Sequence, residues 1–203
     1  FIDDYIFLCF LLGNDFIPHA PSLSIKENGI DILLKIYIEA YTCYGKYLID
    51  RDKLEIHYDM LSFLFNELSI KENIMLQKKT TKMNKFRIHF NKCESILDRK
   101  LEELNKYPLL HKELNYFLKM GEEGWIQRYY AHCFLLNKEQ YAIVCKNYIE
   151  GLVWNFHYYF NECISWEWFY QYIHAPPFQD VFRYLEKNHL NTITFSPSQP
   201  YTP

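Results

Sequence analysis

Asp15 stands at the abrupt end of an apolar run. The run is Ile6-Phe7-Leu8-Cys9-Phe10-Leu11-Leu12, and it breaks into Gly13-Asn14-Asp15-Phe16-Ile17-Pro18-His19. An acidic residue that ends a buried element is held rigidly in a dry place, where a carboxylate can grip a metal ion. One carboxylate does not suffice for phosphodiester hydrolysis, which uses several around two ions about 3.5–4 Å apart. Asp3 and Asp4 lie 12 and 11 residues upstream of Asp15. Across a helix over 4–12 that is about three turns, roughly 16 Å, too far to share an ion. They read instead as acids at a helix N-terminus, and further ligands are expected before Phe1. The other reading of Asp15 is a cap or turn residue.

A second constellation lies in the last third of the chain. It runs through Gly151-Leu152-Val153-Trp154, Tyr158-Tyr159-Phe160 and Ser165-Trp166-Glu167-Trp168-Phe169-Tyr170-Gln171-Tyr172, and closes on Ile173-His174-Ala175-Pro176. This is a helix leading into a loop dense with large rings. Rings in a loop cannot all reach a core. Those on a surface could stack on nucleic-acid bases, at about 1–3 kcal/mol each. The alternative is an aromatic cluster that pins the loop to its own domain. A third feature is the charged stretch from Lys71 to Leu109, with Lys78, Lys79, Lys82, Lys85, Arg87 and Lys92 in quick succession. It reads as a phosphate-contacting strip, or as a solvated helix face or linker.

These groups need a scaffold, and 203 residues with 49% apolar content can build a sizeable core. The aromatic fraction of 19% is high for an ordinary domain, and reads either as a helical core packed with rings or as rings that serve as platforms for stacked bases. A formal charge of −3 carries no global basic signature, and so argues against a stand-alone RNA-binding module. The cysteines, Cys9, Cys43, Cys93, Cys133, Cys145 and Cys163, form no C-x-x-C pair. They point to free thiols in a reduced intracellular protein rather than to a disulfide framework or zinc site. No signal peptide is visible, and the run before Gly13 is too short to span a membrane. The start at Phe1 and the Pro-rich end from Phe195 read as cuts through a larger protein.

Apolar spacing predicts a helix over 24–45 through Ile30, Leu33, Leu34, Tyr37, Ile38 and Tyr41, stopped by Gly45. A second is expected over 54–69, through Leu54, Met60, Leu61, Leu64, Phe65 and Leu68. Gly121-Glu122-Glu123-Gly124 reads as a turn, with Trp125 opening a helix. A long helix is predicted over 138–160, an aromatic loop over 161–177 and a short helix over 179–188. Strand alternation, internal repeats and a Gly-rich phosphate loop are not evident, so the expected class is mainly α.

The segment from Gly13 through Pro21-Ser22-Leu23 resembles the GNDF-PH-PSL stretch of the XRN-type 5′→3′ exoribonucleases, relatives of the flap-endonuclease and PIN nucleases. The second constellation resembles that family's pattern GL-W-L-YYY-GC-SW-W-YP-HYAP---D. It matches in order at Gly151, Leu152, Trp154, Tyr158, Tyr159, Cys163, Ser165, Trp166, Trp168, Tyr170, Tyr172, Ala175, Pro176 and Asp180. Gly124-Trp125 and Arg128-Tyr129-Tyr130 are similar to its GW--RYY. Phe195, Pro200, Tyr201 and Pro203 are similar to its F--G-PF-P. The resemblance anchors residues 1–45 and 121–203 and leaves the middle unmatched. Departures include Ala20, Ser24, Phe160, Glu162, Gln171 and Ser198. Ile173 stands where the family has His, and a one-residue shift would let His174 take that place.

The resemblance implies the helical part of a larger PIN/flap-endonuclease-like nuclease. Residues 1–45 would end its catalytic region, 46–120 would connect, and 121–203 would form a second helical region. The implied reaction removes mononucleotides from single-stranded RNA bearing a 5′-monophosphate, with two Mg²⁺ ions, or Mn²⁺ in their place. Asp15 is then the catalytic carboxylate and a metal ligand, and the rest of the polypeptide is an obligatory partner. The chain alone would be inactive. Trp166 and Trp168 are the candidates for stacking on RNA. Trp166 is favoured because it leaves the Cys163-Ile164-Ser165 turn directly. A membrane is not expected, and a protein partner is left open. The textures around Pro18-His19 and Gly121–Trp125 lean toward the family's nuclear branch rather than the cytoplasm. The rival expectation is a non-catalytic helical scaffold whose aromatic loop binds a protein.

Overall fold

Ile2–Phe10 form helix α1, with Asp3 and Asp4 in its first turn, where a carboxylate is favoured. The computed structural model describes residues 1–85, 91–93, 95–105 and 117–200. Asp4 does more than complement the helix end. It is buried, and its carboxylate accepts from the backbone N–H of Leu48 at 3.0 Å and of Ile49 at 2.9 Å, and from the Tyr37 hydroxyl at 2.5 Å. Burial and this bond to Asp4 push the Tyr37 phenol well above its ordinary range.

Helix α2 spans Gly29–Tyr44 and stops at Gly45, whose N–H returns to the Tyr41 carbonyl at 2.8 Å. The predicted start at 24 is early by more than a turn. Ile25–Glu27 form a separate 3₁₀ turn, and Asn28 takes a left-handed φ of 59° that a continuous helix excludes. The helix expected from residue 54 also starts later. Ile49–Asp50 (β1) and Glu55–Ile56 (β2) form an antiparallel hairpin, with Ile49 opposite Ile56. This hairpin corrects the expectation of no strands. Two residues per strand are too few for alternation to register.

Helix α3 then runs 28 residues, Tyr58–Lys85. It absorbs the charged stretch from Lys71 to Lys85, because Leu61, Leu64, Phe65, Leu68 and Leu76 keep one face buried as far as Leu76. Arg87 and Leu109 lie outside the described residues. Ile96–Asn105 form α4, Trp125–Cys133 form α5 after the expected glycine turn, and Tyr141–Phe160 form α6. Phe178–Leu185 form α7. Among the described residues the fold is mainly α, and none of its helices is long and apolar enough to cross a membrane.

Residues from α1, α2, α3, α6 and α7 share one apolar core, with Phe7, Leu33, Phe65, Tyr148, Leu152 and Phe178 fully buried in it. A smaller cluster joins Leu76 to Trp125, Tyr130, Phe134 and Val144. One carboxylate sits inside the α3–α7 packing. Glu72 is fully buried and accepts from the N–H of Phe178 at 2.9 Å and of Gln179 at 3.2 Å, at the start of α7. The Ser22 hydroxyl donates to it at 3.4 Å. Burial pushes the Glu72 carboxyl up to about 8, against the opposing pull of those N–H donors.

Candidate nuclease junction and aromatic loop

The Gly13–His19 loop is closed by Asn14. Its N–H donates to the Ile17 carbonyl at 3.0 Å, and its side-chain oxygen accepts from the N–H of Phe16 and of Ile17, each at 3.0 Å. Gly13 permits the turn with φ 88°, at a point where a Cβ would stand 2.8 Å from the His19 nitrogen. The free half of the Asn14 amide donates to Asn155 on α6 at 2.8 Å, and Asn155 donates to the Gly151 carbonyl at 2.7 Å. Local turn chemistry and a long-range bond therefore fix the same loop.

Asp15 occupies the tip. It is exposed, and it makes no hydrogen bond or ion pair among the described residues. The expected dry place is corrected here. Ile17 turns into the core and Phe16 onto α6, which leaves Asp15 facing outward. The described residues hold no cluster of three or more His, Cys, Asp and Glu able to bind a metal. A free carboxylate on a rigid loop fits one ligand of such a site but does not complete the set. Asp3 is engaged elsewhere, 3.6 Å from the Arg51 guanidinium.

The same face of α6 receives the aromatic loop. Gly151 leaves no room for a side chain: a Cβ would lie 2.7 Å from the Ile17 methyl and 3.1 Å from the Trp168 ring. Trp154 stacks on Trp168 at 5.5 Å and on Tyr158 at 5.1 Å, and donates its indole N–H to the Ser165 carbonyl at 2.8 Å. Phe16 packs against Trp154 at 4.9 Å and Tyr158 at 5.0 Å. Residues 13–17 and 151–168 thus meet on one helix, beside Asp15.

A family model described as the Xrn1 helical domain matches residues 1–115 and 98–203. The chain belongs to this family. It is similar to the 5′-3′ exoribonuclease 2 of Arabidopsis thaliana, 26% identical over 281 residues, an alignment covering 98% of the chain and 28% of the relative. It is also similar to the 5′-3′ exoribonuclease 2 homolog of Drosophila melanogaster, 23% identical over 245 residues, covering 100% of the chain and 26% of the relative. A shorter match, 41% identical over 78 residues, links 38% of the chain to 7% of the 5′-3′ exoribonuclease 2 of Cryptococcus neoformans. The chain spans about a quarter of the first two relatives.

In this Xrn1 helical domain the two candidate tryptophans sit differently. Trp168 is half-buried on Trp154, with its edge toward Phe195 at 6.1 Å. Trp166 is 48% exposed and lines a groove of about 540 Å³ with Cys163, Phe195 and Pro197. Its N–H donates to the Ser198 hydroxyl at 2.7 Å, as does that of Glu167 at 2.9 Å. Ser198, which departs from the family pattern, therefore anchors this turn. Tyr201 and Pro203 lie outside the described residues. His174 packs near Tyr129 at 6.2 Å and Phe134 at 6.3 Å, and burial, then the neighbouring His132 and His19, hold it below the ordinary imidazole range.

Sequence reasoning did not single out Asn155 or the contacts of Phe16. Asn14 carried a usable signal, since Asn after Gly commonly bonds its own turn. A buried asparagine on an otherwise apolar helix face gives none.

Proposed function

We propose that this chain is the helical part of a 5′→3′ exoribonuclease that degrades single-stranded RNA bearing a 5′-monophosphate to mononucleotides. The observation that carries the reading is the Asn14–Asn155 junction, which holds an unpaired Asp15 outward in a chain whose relatives are named exoribonucleases. Asp15 supplies one carboxylate to a metal site whose other ligands come from the rest of the enzyme. Mg²⁺, or Mn²⁺, when bound there stabilises charge on the attacking and leaving oxygens. This chain's own contribution is to fix the loop and to offer rings beside it. Trp166, exposed and rigidly turned, is the ring assigned to stack on incoming bases, with Trp168 and Trp154 supporting the platform.

The test uses the whole enzyme and compares 5′-phosphorylated with 5′-hydroxyl RNA in the presence and absence of a chelator. Mononucleotide release that needs both the 5′-phosphate and the divalent ion is the expected result. No release from either substrate, with single-stranded RNA still bound, would favour a non-catalytic scaffold.

A further inference from the structure

A second site opens where the segment after the Asp15 loop meets α3. Ser22, Lys26, Asn28 and Ile32 face Met75, Lys78, Lys79 and Lys82 across a groove of about 270 Å³. Met75, Lys78, Lys79 and Lys82 fall at i, i+3, i+4 and i+7, so they share one face of α3. Four lysines converge on the groove, against a single lining carboxylate, Glu27. Lys79 is half-buried and committed, donating to the Pro21 carbonyl at 3.0 Å, with Glu27 as its charged neighbour.

Lys26, Lys78 and Lys82 are exposed, and none has an ion pair among the described residues. Some exposed lysines elsewhere are paired, Lys46 with Asp59, Lys53 with Asp50 and Lys146 with Glu150. Others, such as Lys35 and Lys187, have no ion pair among the described residues, so what marks the groove is the convergence of four lysines. The chain as a whole carries a formal charge of −3. A groove with four lysines against one carboxylate, on a net-negative molecule, concentrates positive field at one place. Ile32 and Met75 give the lysine stems an apolar floor while the ammonium groups reach outward.

We propose that this groove binds the phosphodiester backbone of RNA, independently of the chemistry at the RNA's 5′ end. Lysine ammonium groups recognise phosphate as point charges, and the Asn28 amide adds a neutral donor of the kind that positions a backbone. The choice of RNA over an acidic protein segment rests on the exoribonuclease reading. The groove itself stands on its geometry.

The test measures binding of a fluorescein-labelled oligouridylate with a 5′-hydroxyl to the 203-residue chain, by anisotropy between about 50 and 200 mM salt. The variant Lys26→Gln/Lys78→Gln/Lys82→Gln leaves Lys79 in place and touches only exposed, unpaired side chains. It is expected to weaken binding at least about tenfold and to flatten the salt slope by about 2, at roughly 0.7 per lost phosphate contact. The variant Lys46→Gln/Lys53→Gln/Lys146→Gln removes the same charge outside the groove and is expected to keep most of the affinity. Circular dichroism confirms that both fold. Equal losses in the two variants, no loss in the first, or no RNA binding by the unaltered chain would overturn the proposal. Displacement by polyglutamate as effective as by unlabelled RNA would also overturn it, in favour of an acidic protein partner. Because the probe lacks a 5′-phosphate and no cleavage is read, failure here leaves the nuclease reading intact. Loss of the nuclease reading would show instead in mononucleotide release.

Discussion

The Asn14 side chain donates to the Asn155 side chain at 2.8 Å, joining two residues 141 positions apart. Both amides are otherwise committed, Asn14 to the N–H groups of Phe16 and Ile17 and Asn155 to the Gly151 carbonyl. Replacing Asn155 by Ala leaves the Asn14 donor without its partner in a half-buried place. The expected loss is about 1–3 kcal/mol, the cost of an unsatisfied polar group. Urea unfolding should show a lower midpoint with an unchanged slope. An unchanged midpoint would mean that the loop is held by its own turn alone.

Asp15 should separate chemistry from stability. Its carboxylate has no partner among the described residues, so Asp15→Ala is expected to change stability by no more than about 0.5 kcal/mol. In the whole enzyme the same change should lower RNA hydrolysis by far more than tenfold, that is, beyond about 1.4 kcal/mol of barrier. Activity retained within that limit would make Asp15 a turn residue.

Much of this architecture was legible because helices announce themselves by apolar spacing. The apolar face of α6 is buried through Val144, Tyr148 and Leu152, but the buried face of α2 is rotated from the expected one: Leu33 and Tyr37 are buried, Ile38 and Tyr41 are exposed, and Ile36 and Ala40 take their place. What escaped has a common physical origin. Asp4 and Glu72 are carboxylates in buried positions, satisfied by backbone N–H groups from distant segments, and a hydropathy pattern scores them as surface. The α3 extension was hidden by its exposed lysines, although Leu76 continues the apolar face. The Asn14–Asn155 bond depends on tertiary proximity, which no local window contains. The lysine strip was visible, but its convergence with Lys26 required the fold.

Glu72 should give the protein a pH-dependent stability. Its folded carboxyl, pushed up to about 8 by burial, binds its proton more tightly than the unfolded chain, where a glutamate titrates near 4.5. Stability from this group is therefore fully present below about 4.5 and declines as pH rises to about 8. Asp180, a nearby carboxylate, adds to the upward shift. Glu72→Gln should remove this part of the slope, so that the urea stability of the unaltered protein falls relative to that of the variant from about pH 5 toward about pH 8. Parallel profiles would show that Glu72 stays ionised, held by the N–H groups of Phe178 and Gln179.

Trp166 and Trp168 should part company in the same pair of assays. Trp168 lies against Trp154 and above the bare backbone of Gly151, so Trp168→Ala opens a space that α6 cannot collapse to fill. The expected cost is about 3 kcal/mol, the low end for deleting a large ring, because Trp168 is only half-buried. Trp166 projects into its groove, and its turn is held by backbone bonds to Ser198 that do not need the indole. Trp166→Ala should leave the melting curve nearly unchanged. In the whole enzyme it should weaken single-stranded RNA engagement by about 1–3 kcal/mol, the value of a lost base stack. If both variants lower the melting temperature and neither alters RNA engagement at a temperature where both are folded, the loop is a structural strap and base stacking is done elsewhere.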